Sequence, residues 1–217
     1  MMMKTNYEYN QNYLTRIKGV VDNHLSIYPR TFWVRFDLRY PAILRNIGND
    51  FYDDAITGLY NSEPEVMKRF FPSLKAQIKH EEQQKIKQGK RVHCSGMSYV
   101  WVREFGDINN NEHYHVLILF NKDRYHTLGS YDYEGKNLAN KIRKAWCSAL
   151  SVDPLDFSSL VHFATKQSNY LIYNEIGFDF AYRNLLDMAS YLAKEKTKRL
   201  EKGRRNFGAS LAKKRHG

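Results

Sequence analysis

Residues 112–120 read Glu-His-Tyr-His-Val-Leu-Ile-Leu-Phe, and this stretch decides how the chain is interpreted. Side chains alternate between the two faces of a β-strand, so His113 and His115 are expected to project from one face. The unbroken apolar run Val116–Phe120 is typical of a central strand buried on both faces. We therefore expect two imidazoles at the entry of a rigid core strand, where they could bind one cation. On spacing alone, two half-exposed strand histidines are an equal alternative.

A nearby carboxylate would complete a metal site. Ser98–Phe105 has the composition of a strand, and the polar turn over 106–111 predicts a hairpin with the histidine strand. Glu104 should then lie near His113. Two imidazoles and a carboxylate leave open positions for water and phosphate oxygens, which suits Mg²⁺ or Mn²⁺ in phosphodiester chemistry. Other candidate ligands are Asp37 on an earlier strand, ranked second, and then Glu112 and Asp107.

The remaining pattern predicts helices around an antiparallel sheet. Strands are also expected over 31–38 and 160–164. A capping box at residues 62–65 predicts the start of a helix that ends near Gln88 and is broken at Pro72. Helices are further expected over 7–26, 137–150 and 178 to about 202. This order predicts an α+β fold, a central antiparallel sheet with flanking helices.

The last predicted helix carries a candidate nucleophile. Its apolar residues recur at helical spacing and should face the core, which places Tyr191 at the boundary between buried and exposed. Lys194 and Lys198 follow at i+3 and i+7 and share the face of Tyr191. Lysines beside a phenol offset phosphate charge and favour the phenolate, so Tyr191 could attack a phosphate. The alternative is a boundary tyrosine followed by a solvated basic face.

Positive charge is concentrated near the C-terminal end. The chain has 34 Lys and Arg against 23 Asp and Glu, a net charge of +11. Residues 194–217 hold ten Lys and Arg and two Glu, or +8, which leaves +3 for the rest. With 16 tyrosines, this composition favours a nucleic-acid partner and predicts a flexible basic arm. The expected DNA contacts are Lys198, Arg204, Arg205, Lys213, Lys214 and Arg215.

Several classes of protein and site are disfavoured. Cys94 and Cys147 are the only cysteines and have no Cys-x-x-Cys spacing, which disfavours a thiolate zinc site and fits reduced thiols in the cytoplasm. The longest apolar run is far too short to span a bilayer, and no secretory signal is visible. No P-loop motif is present, so we expect no helicase activity in the chain itself.

Three motifs together resemble the HUH endonucleases that initiate rolling-circle replication. They are the apolar strand Phe32–Leu38, His113-Tyr114-His115 and Tyr191-Leu192-Ala193-Lys194. The tyrosine follows the histidines, as in replication initiators and not as in relaxases. More narrowly, Arg35-Phe36-Asp37-Leu38, Glu104 with the histidines, and Ser190–Glu195 resemble the inovirus-type replication proteins, whose relatives include YagK/YfjJ-like domains. The resemblance covers about residues 28–200.

The resemblance implies a metal-assisted endonuclease on an antiparallel, HUH/RRM-like palm with flanking helices. Glu104, His113 and His115 would hold the cation. Tyr191 would attack the scissile phosphate and stay linked to the 5′ side, leaving a 3′-hydroxyl for a host polymerase, while Lys194 would steady the phosphate. No second tyrosine lies one helical turn from Tyr191, which favours a single-tyrosine enzyme.

The expected organisation is an N-terminal helical segment over 1–27, an HUH-like endonuclease domain over 28–200 and a flexible basic tail over 201–217. Expected partners are single-stranded or origin-hairpin DNA and the helicase and polymerase of a bacterial host, in the cytoplasm and away from membranes. The alternative is a non-catalytic DNA-binding regulator with a vestigial site; within the enzymes, a small transposase is a further alternative. A binding protein needs neither a metal triad nor Tyr-x-x-Lys, so their joint presence favours the endonuclease.

Overall fold

Within the described part of the chain, six strands form one antiparallel sheet with helices on both faces, which confirms the α+β prediction. The computed structural model describes residues 8–41, 65–106, 111–130, 135–164, 169–195 and 203–211. The strands are β1 (Arg30–Arg39), β2 (Ser98–Phe105), β3 (Glu112–Asn121), β4 (Val161–Phe163), β5 (Tyr170–Ile172) and β6 (Phe207–Ala209). The helices are α1 (Gln11–Ile27), α2 (Val66–Lys87), α3 (Leu138–Leu150), α4 (Pro154–Phe157) and α5 (Phe178–Ser190).

The centre of the sheet is β3, which pairs with β1 on one side and β2 on the other. The strand order is β4-β1-β3-β2-β6, and β5 pairs with the beginning of β1. In the β1–β3 register Asp37 lies opposite His115, and in the β2–β3 register Glu104 lies opposite His113. Residues directly opposite on neighbouring strands share a face, so these four side chains lie on one face of the sheet.

Two hydrophobic layers cover the sheet and explain the unbroken apolar run of β3. Leu117 and Leu119 pack with α1 and α5, whereas Val116, Ile118 and Phe120 pack with α2 and α3. Helix α1 contributes Ile17, Val20 and Val21 to the first layer, so residues 8–27 pack against the same sheet as the rest of the described chain.

Helix α5 is shorter than expected. The prediction of one helix from residue 178 to about 202 is wrong, because α5 ends at Ser190 and a single 3₁₀ turn follows over Tyr191–Ala193. The backbone is extended at Lys194 and pairs there with Tyr9. The N–H of Asn10 donates to the carbonyl of Ala193, so these hydrogen bonds to the N-terminal segment replace the next helical turn.

Proline 72 does not break its helix. Helix α2 runs without interruption from Val66 to Lys87 with Pro72 inside it, contrary to the expected break. Phe70, Phe71 and Leu74 are buried on both sides of the proline, so core packing holds the two halves in line and outweighs the missing backbone hydrogen bond. Residues 62–64 of the predicted capping box and 107–110 of the predicted turn lie outside the described residues, and Glu65, the last residue of that box, makes no capping hydrogen bond through its side chain.

Part of the expected flexible tail is an edge strand. Residues 207–209 form β6, which pairs antiparallel with Val100–Val102 of β2. The guanidinium of Arg103, 1% exposed, donates to the side-chain oxygen of Asn206 at 3.0 and 2.8 Å. Gly208 fits closely, because a Cβ there would lie 2.4 Å from the Trp101 ring. Packing with β2 therefore orders this segment, which the charge pattern alone does not reveal.

The two cysteines, Cys94 and Cys147, are unpaired, with Cys147 buried and Cys94 exposed. Among the described residues, no helix combines the length and the apolar character that a membrane crossing requires.

Replacing Asn206 with Ala should destabilise the fold by about 3 kcal/mol, because it leaves a buried guanidinium without its best acceptor. The measurement is urea unfolding followed by circular dichroism. Leu211→Ala, at a side chain that is 83% exposed beyond β6, is the control and should change the free energy of unfolding by less than about 0.5 kcal/mol. Equal stability of the two variants would show that the Arg103–Asn206 hydrogen bonds do not stabilise the fold.

Candidate functional site

Glu104, His113 and His115 meet at one end of the central strands. Each offers one ligand atom, and these atoms lie within 4.8 Å of one another. The Nε2 atoms of the two histidines are 3.2 Å apart, and His115 Nε2 is 3.4 Å from Glu104 Oε2. Glu104 is 2% exposed and His115 5% exposed, so the ligand atoms are held in a largely dehydrated site. This group of side chains could hold a metal ion.

Hydrogen bonds on the far side of each ring orient the two imidazoles. His113 Nδ1 lies 3.1 Å from the Asn111 carbonyl oxygen, and His115 Nδ1 lies 2.5 Å from Asp37 Oδ1. Both oxygens accept hydrogen bonds, so each Nδ1 donates and each Nε2 of the neutral ring presents a lone pair. Asp37, the second-ranked ligand, therefore contacts the back of His115 and acts as its orienting partner.

The two histidines differ in their affinity for protons. Burial lowers the pKa of His113. Burial also opposes protonation of His115, but its hydrogen bonds with Asp37 and Glu104 outweigh that effect and raise its pKa. Burial alone would raise the pKa of Asp37, yet the contact with His115 lowers it. The carboxylate of Asp37 is thus kept charged against His115.

Tyr191 covers this site from the 3₁₀ turn after α5. Its ring lies nearly perpendicular to the His115 ring, with 5.4 Å between centroids, and it is 37% exposed. Lys194 Nζ lies 3.6 Å from the centroid of the Tyr191 ring. The pair expected from helical spacing therefore does meet, although a 3₁₀ turn and an extended residue bring it together. Fully buried Leu192 and Ala193 fix the turn against the sheet.

Arg35 also lies at this site, and the sequence analysis did not place it there. It lies on the same face of β1 as Asp37, and its guanidinium carbon is 4.7 Å from the centroid of the Tyr191 ring. Period-two alternation places Arg35 on the face of Asp37, a signal that could have found it. The distance to Tyr191 depends on how the turn folds over the sheet.

Glu112, a rival ligand, lies on the opposite face of the sheet. Its carboxylate accepts hydrogen bonds from Tyr114 at 2.8 Å and from Arg204 at 2.9 Å. Because odd and even positions of β3 face opposite sides, Glu112 cannot join the histidines, and that alternative is wrong. Arg204, an expected DNA contact, is half-buried and forms this ion pair. Asp107, Lys198, Lys213, Lys214 and Arg215 lie outside the described residues, while Arg205 is exposed.

Other tyrosines lie elsewhere in the fold. Tyr182 donates a hydrogen bond to Asp22 of α1, and Tyr170 donates to the His126 carbonyl. Within the described ranges, Tyr191 is the tyrosine whose ring contacts His115.

Comparison with known proteins identifies relatives over most of the chain. The uncharacterized Escherichia coli (strain K12) proteins YagK and YfjJ are 35% and 33% identical to it, over 91% of this chain and 91% and 93% of theirs. The minute virus of mice non-structural protein-1 N-terminal nuclease domain, described with Zn²⁺ in its active-site pocket, has a TM-score of 0.31 and 12% identity, covering 79% of this chain and 83% of that one. This likeness is too weak to carry function between them. The YagK/YfjJ C-terminal domain family model matches residues 1–210, and the chain belongs to that family.

Proposed function

We propose that the protein is a replication initiator that nicks single-stranded DNA and becomes linked to it through Tyr191. The observation that carries this proposal is the packing of Tyr191 against His115, one of three side chains that could hold a metal ion. A tyrosine, a cation and a neighbouring lysine are the parts that phosphodiester transfer to a phenol requires. The HUH motifs described above support the same reaction.

The donor set fits a divalent cation. Three ligand atoms converge, and hydrogen bonds to Asn111 and Asp37 leave lone pairs on both Nε2 atoms. Without a cation or a proton between them, two such lone pairs 3.2 Å apart repel each other. Glu104, His113 and His115 would hold the ion. Mixed nitrogen and oxygen donors suit Mn²⁺, with Mg²⁺ as the alternative that prefers oxygen. Once bound, the cation would polarise the scissile phosphate and neutralise its charge.

In the proposed reaction the hydroxyl oxygen of Tyr191 attacks phosphorus, and the bond from phosphorus to the 3′-oxygen breaks. The phenol loses its proton to water, and the departing 3′-oxygen gains one, so a 3′-hydroxyl and a 5′-phosphotyrosine result. The ammonium of Lys194, which already contacts the Tyr191 ring, stabilises negative charge on the phenol oxygen and the phosphate. The link stores the energy of the broken bond for rejoining, as rolling-circle replication by a host polymerase and helicase requires.

His113→Ala should weaken Mn²⁺ binding at least tenfold in isothermal titration calorimetry, since one of three protein ligands is lost, and Glu104→Gln should also weaken it. Both variants should lose DNA cleavage yet keep most DNA affinity, which comes from backbone charge contacts. His93→Ala, at an exposed histidine, is the matched control and should bind Mn²⁺ as the wild type does. Unchanged Mn²⁺ affinity in His113→Ala would rule out the metal site.

Tyr191→Phe should keep the fold and DNA binding but lose the denaturation-resistant protein–DNA adduct, because only the attacking oxygen is removed. The assay incubates protein, Mn²⁺ and single-stranded oligonucleotides that tile the DNA flanking the gene, then maps the linked peptide by mass spectrometry. Tyr182→Phe is the control and should keep the adduct, since Tyr182 is bonded to α1. Lys194→Ala should slow the reaction without stopping it. Tight DNA binding without any adduct in the wild type would instead favour the alternative function, a non-catalytic DNA-binding regulator.

Removing residues 212–217 should weaken DNA binding and reduce the slope of log affinity against log salt by about 2, because three basic residues no longer release counterions. The deletion spares β6 and the Arg204–Glu112 pair, so the unfolding transition should not move. Cleavage at low salt should survive. An unchanged salt slope would show that this end of the chain does not contact DNA.

A further inference from the structure

We infer that Arg35 binds the nonbridging oxygens of the phosphate that Tyr191 attacks. This inference rests on the proposed function and assigns a substrate-binding role to a residue of β1. Arg35 stands two residues before Asp37 on the same face of the sheet, and its guanidinium lies over the Tyr191 ring at 4.7 Å. Its side chain is 17% exposed, so a charged group is held mostly away from water beside the candidate nucleophile.

Among the described residues, no side chain is a good acceptor for this guanidinium. Its contacts with described residues are 3.5 Å to His115 Nδ1 and 3.9 Å to Asp37 Oδ1, and its buried Nε has no hydrogen-bond partner. His115 Nδ1 already uses its hydrogen to bond Asp37, so it has no lone pair to offer Arg35. The same Asp37 oxygen is committed to His115 at 2.5 Å.

Other buried or half-buried arginines of the described chain are bound differently. Arg124 donates to Glu81 at 2.9 Å, Arg143 to Asn140 at 3.0 Å and Arg204 to Glu112 at 2.9 Å. Each of these has a short bond that fixes it, although its Nε is also without a partner. Arg35 lacks such a bond. A structural role accounts for the burial of Arg124, Arg143 and Arg204. It does not account for the burial of Arg35.

A phosphate would supply what Arg35 lacks. Removing a cation from water is costly unless an anion accepts its hydrogen bonds. The planar guanidinium offers several N–H donors in a fork that matches two phosphate oxygens. A phosphorus atom poised for attack lies about 3 Å beyond the tyrosine hydroxyl, so the phosphate and Arg35 would be neighbours of the same ring. Lys194 also contacts that ring, so the attacked phosphate would have two cations as neighbours.

The test measures how much DNA affinity is lost when one particular phosphate is made neutral, with and without Arg35. In the Tyr191→Phe background, binding is measured to two single-stranded oligonucleotides of one sequence. One has a neutral methylphosphonate at the phosphate that the adduct assay identifies. With Arg35 present, the substitution should weaken binding about tenfold, because a charge-assisted bidentate contact is lost. With Arg35→Gln the loss should fall to about threefold, because the cation and Lys194 still neighbour that phosphate, and Arg35→Lys should be intermediate.

Arg30→Gln is the matched control. Arg30 is on the same strand, carries the same charge and pairs at the surface with Asp123, so this variant should keep the tenfold discrimination. Thermal unfolding of every variant identifies any that fail to fold. If Arg35→Gln does not fold, Arg35→Lys is compared with the protein that keeps Arg35. Equal discrimination with and without Arg35 would overturn the inference while the adduct, and hence the proposed function, stands.

A second measurement does not depend on cleavage. The ¹⁵N-edited NMR signal of the Arg35 Nε–H group, assigned by its loss in Arg35→Gln, should shift saturably with inorganic phosphate and not with chloride at equal ionic strength. If the signal shifts saturably but the protein forms no DNA adduct, Arg35 binds an anion and the nicking proposal is refuted. No shift, whether or not the adduct forms, would refute the role of Arg35.

Discussion

The hydrogen bond between His115 Nδ1 and Asp37 Oδ1 is the contact on which the site depends. It joins the two central strands at 2.5 Å and decides which nitrogen of His115 carries hydrogen. It directs the Nε2 lone pair toward His113 and Glu104, and it uses the carboxylate that could otherwise have neutralised Arg35. One contact therefore orients His115 in the candidate metal site and occupies the carboxylate nearest to Arg35.

The sheet gives this contact its rigidity. Strand β3 is buried on both faces by two separate hydrophobic layers, so its first residues have little freedom to move. The site lies where the apolar part of the strand ends and the histidines begin. The 3₁₀ turn that follows α5 brings Tyr191 over the polar end of the sheet. The buried apolar part of β3 thus holds in place polar side chains that would be mobile on a loop.

Both ends of the described chain support the site from outside. Asn10 and Tyr9 pair with the residues that follow Tyr191 and stop α5 from continuing. On the opposite face, Arg204 pairs with Glu112, the neighbour of His113. Among the basic residues near the C-terminal end, Arg204 thus forms an ion pair within the fold. Lys198, Arg205, Lys213, Lys214 and Arg215 remain predicted DNA contacts.

The sequence by itself determined the local features: the strand that carries both histidines on one face, the hairpin that places Glu104 beside His113, and the α+β class. These follow from side-chain alternation and turn composition, which act over a few residues. Only the tertiary structure decided where α5 ends, that Asp37 orients His115, that Glu112 faces away, that β6 is ordered and that Arg35 meets Tyr191. Those outcomes depend on packing between residues far apart in the chain, where burial and long-range hydrogen bonds outweigh local propensity.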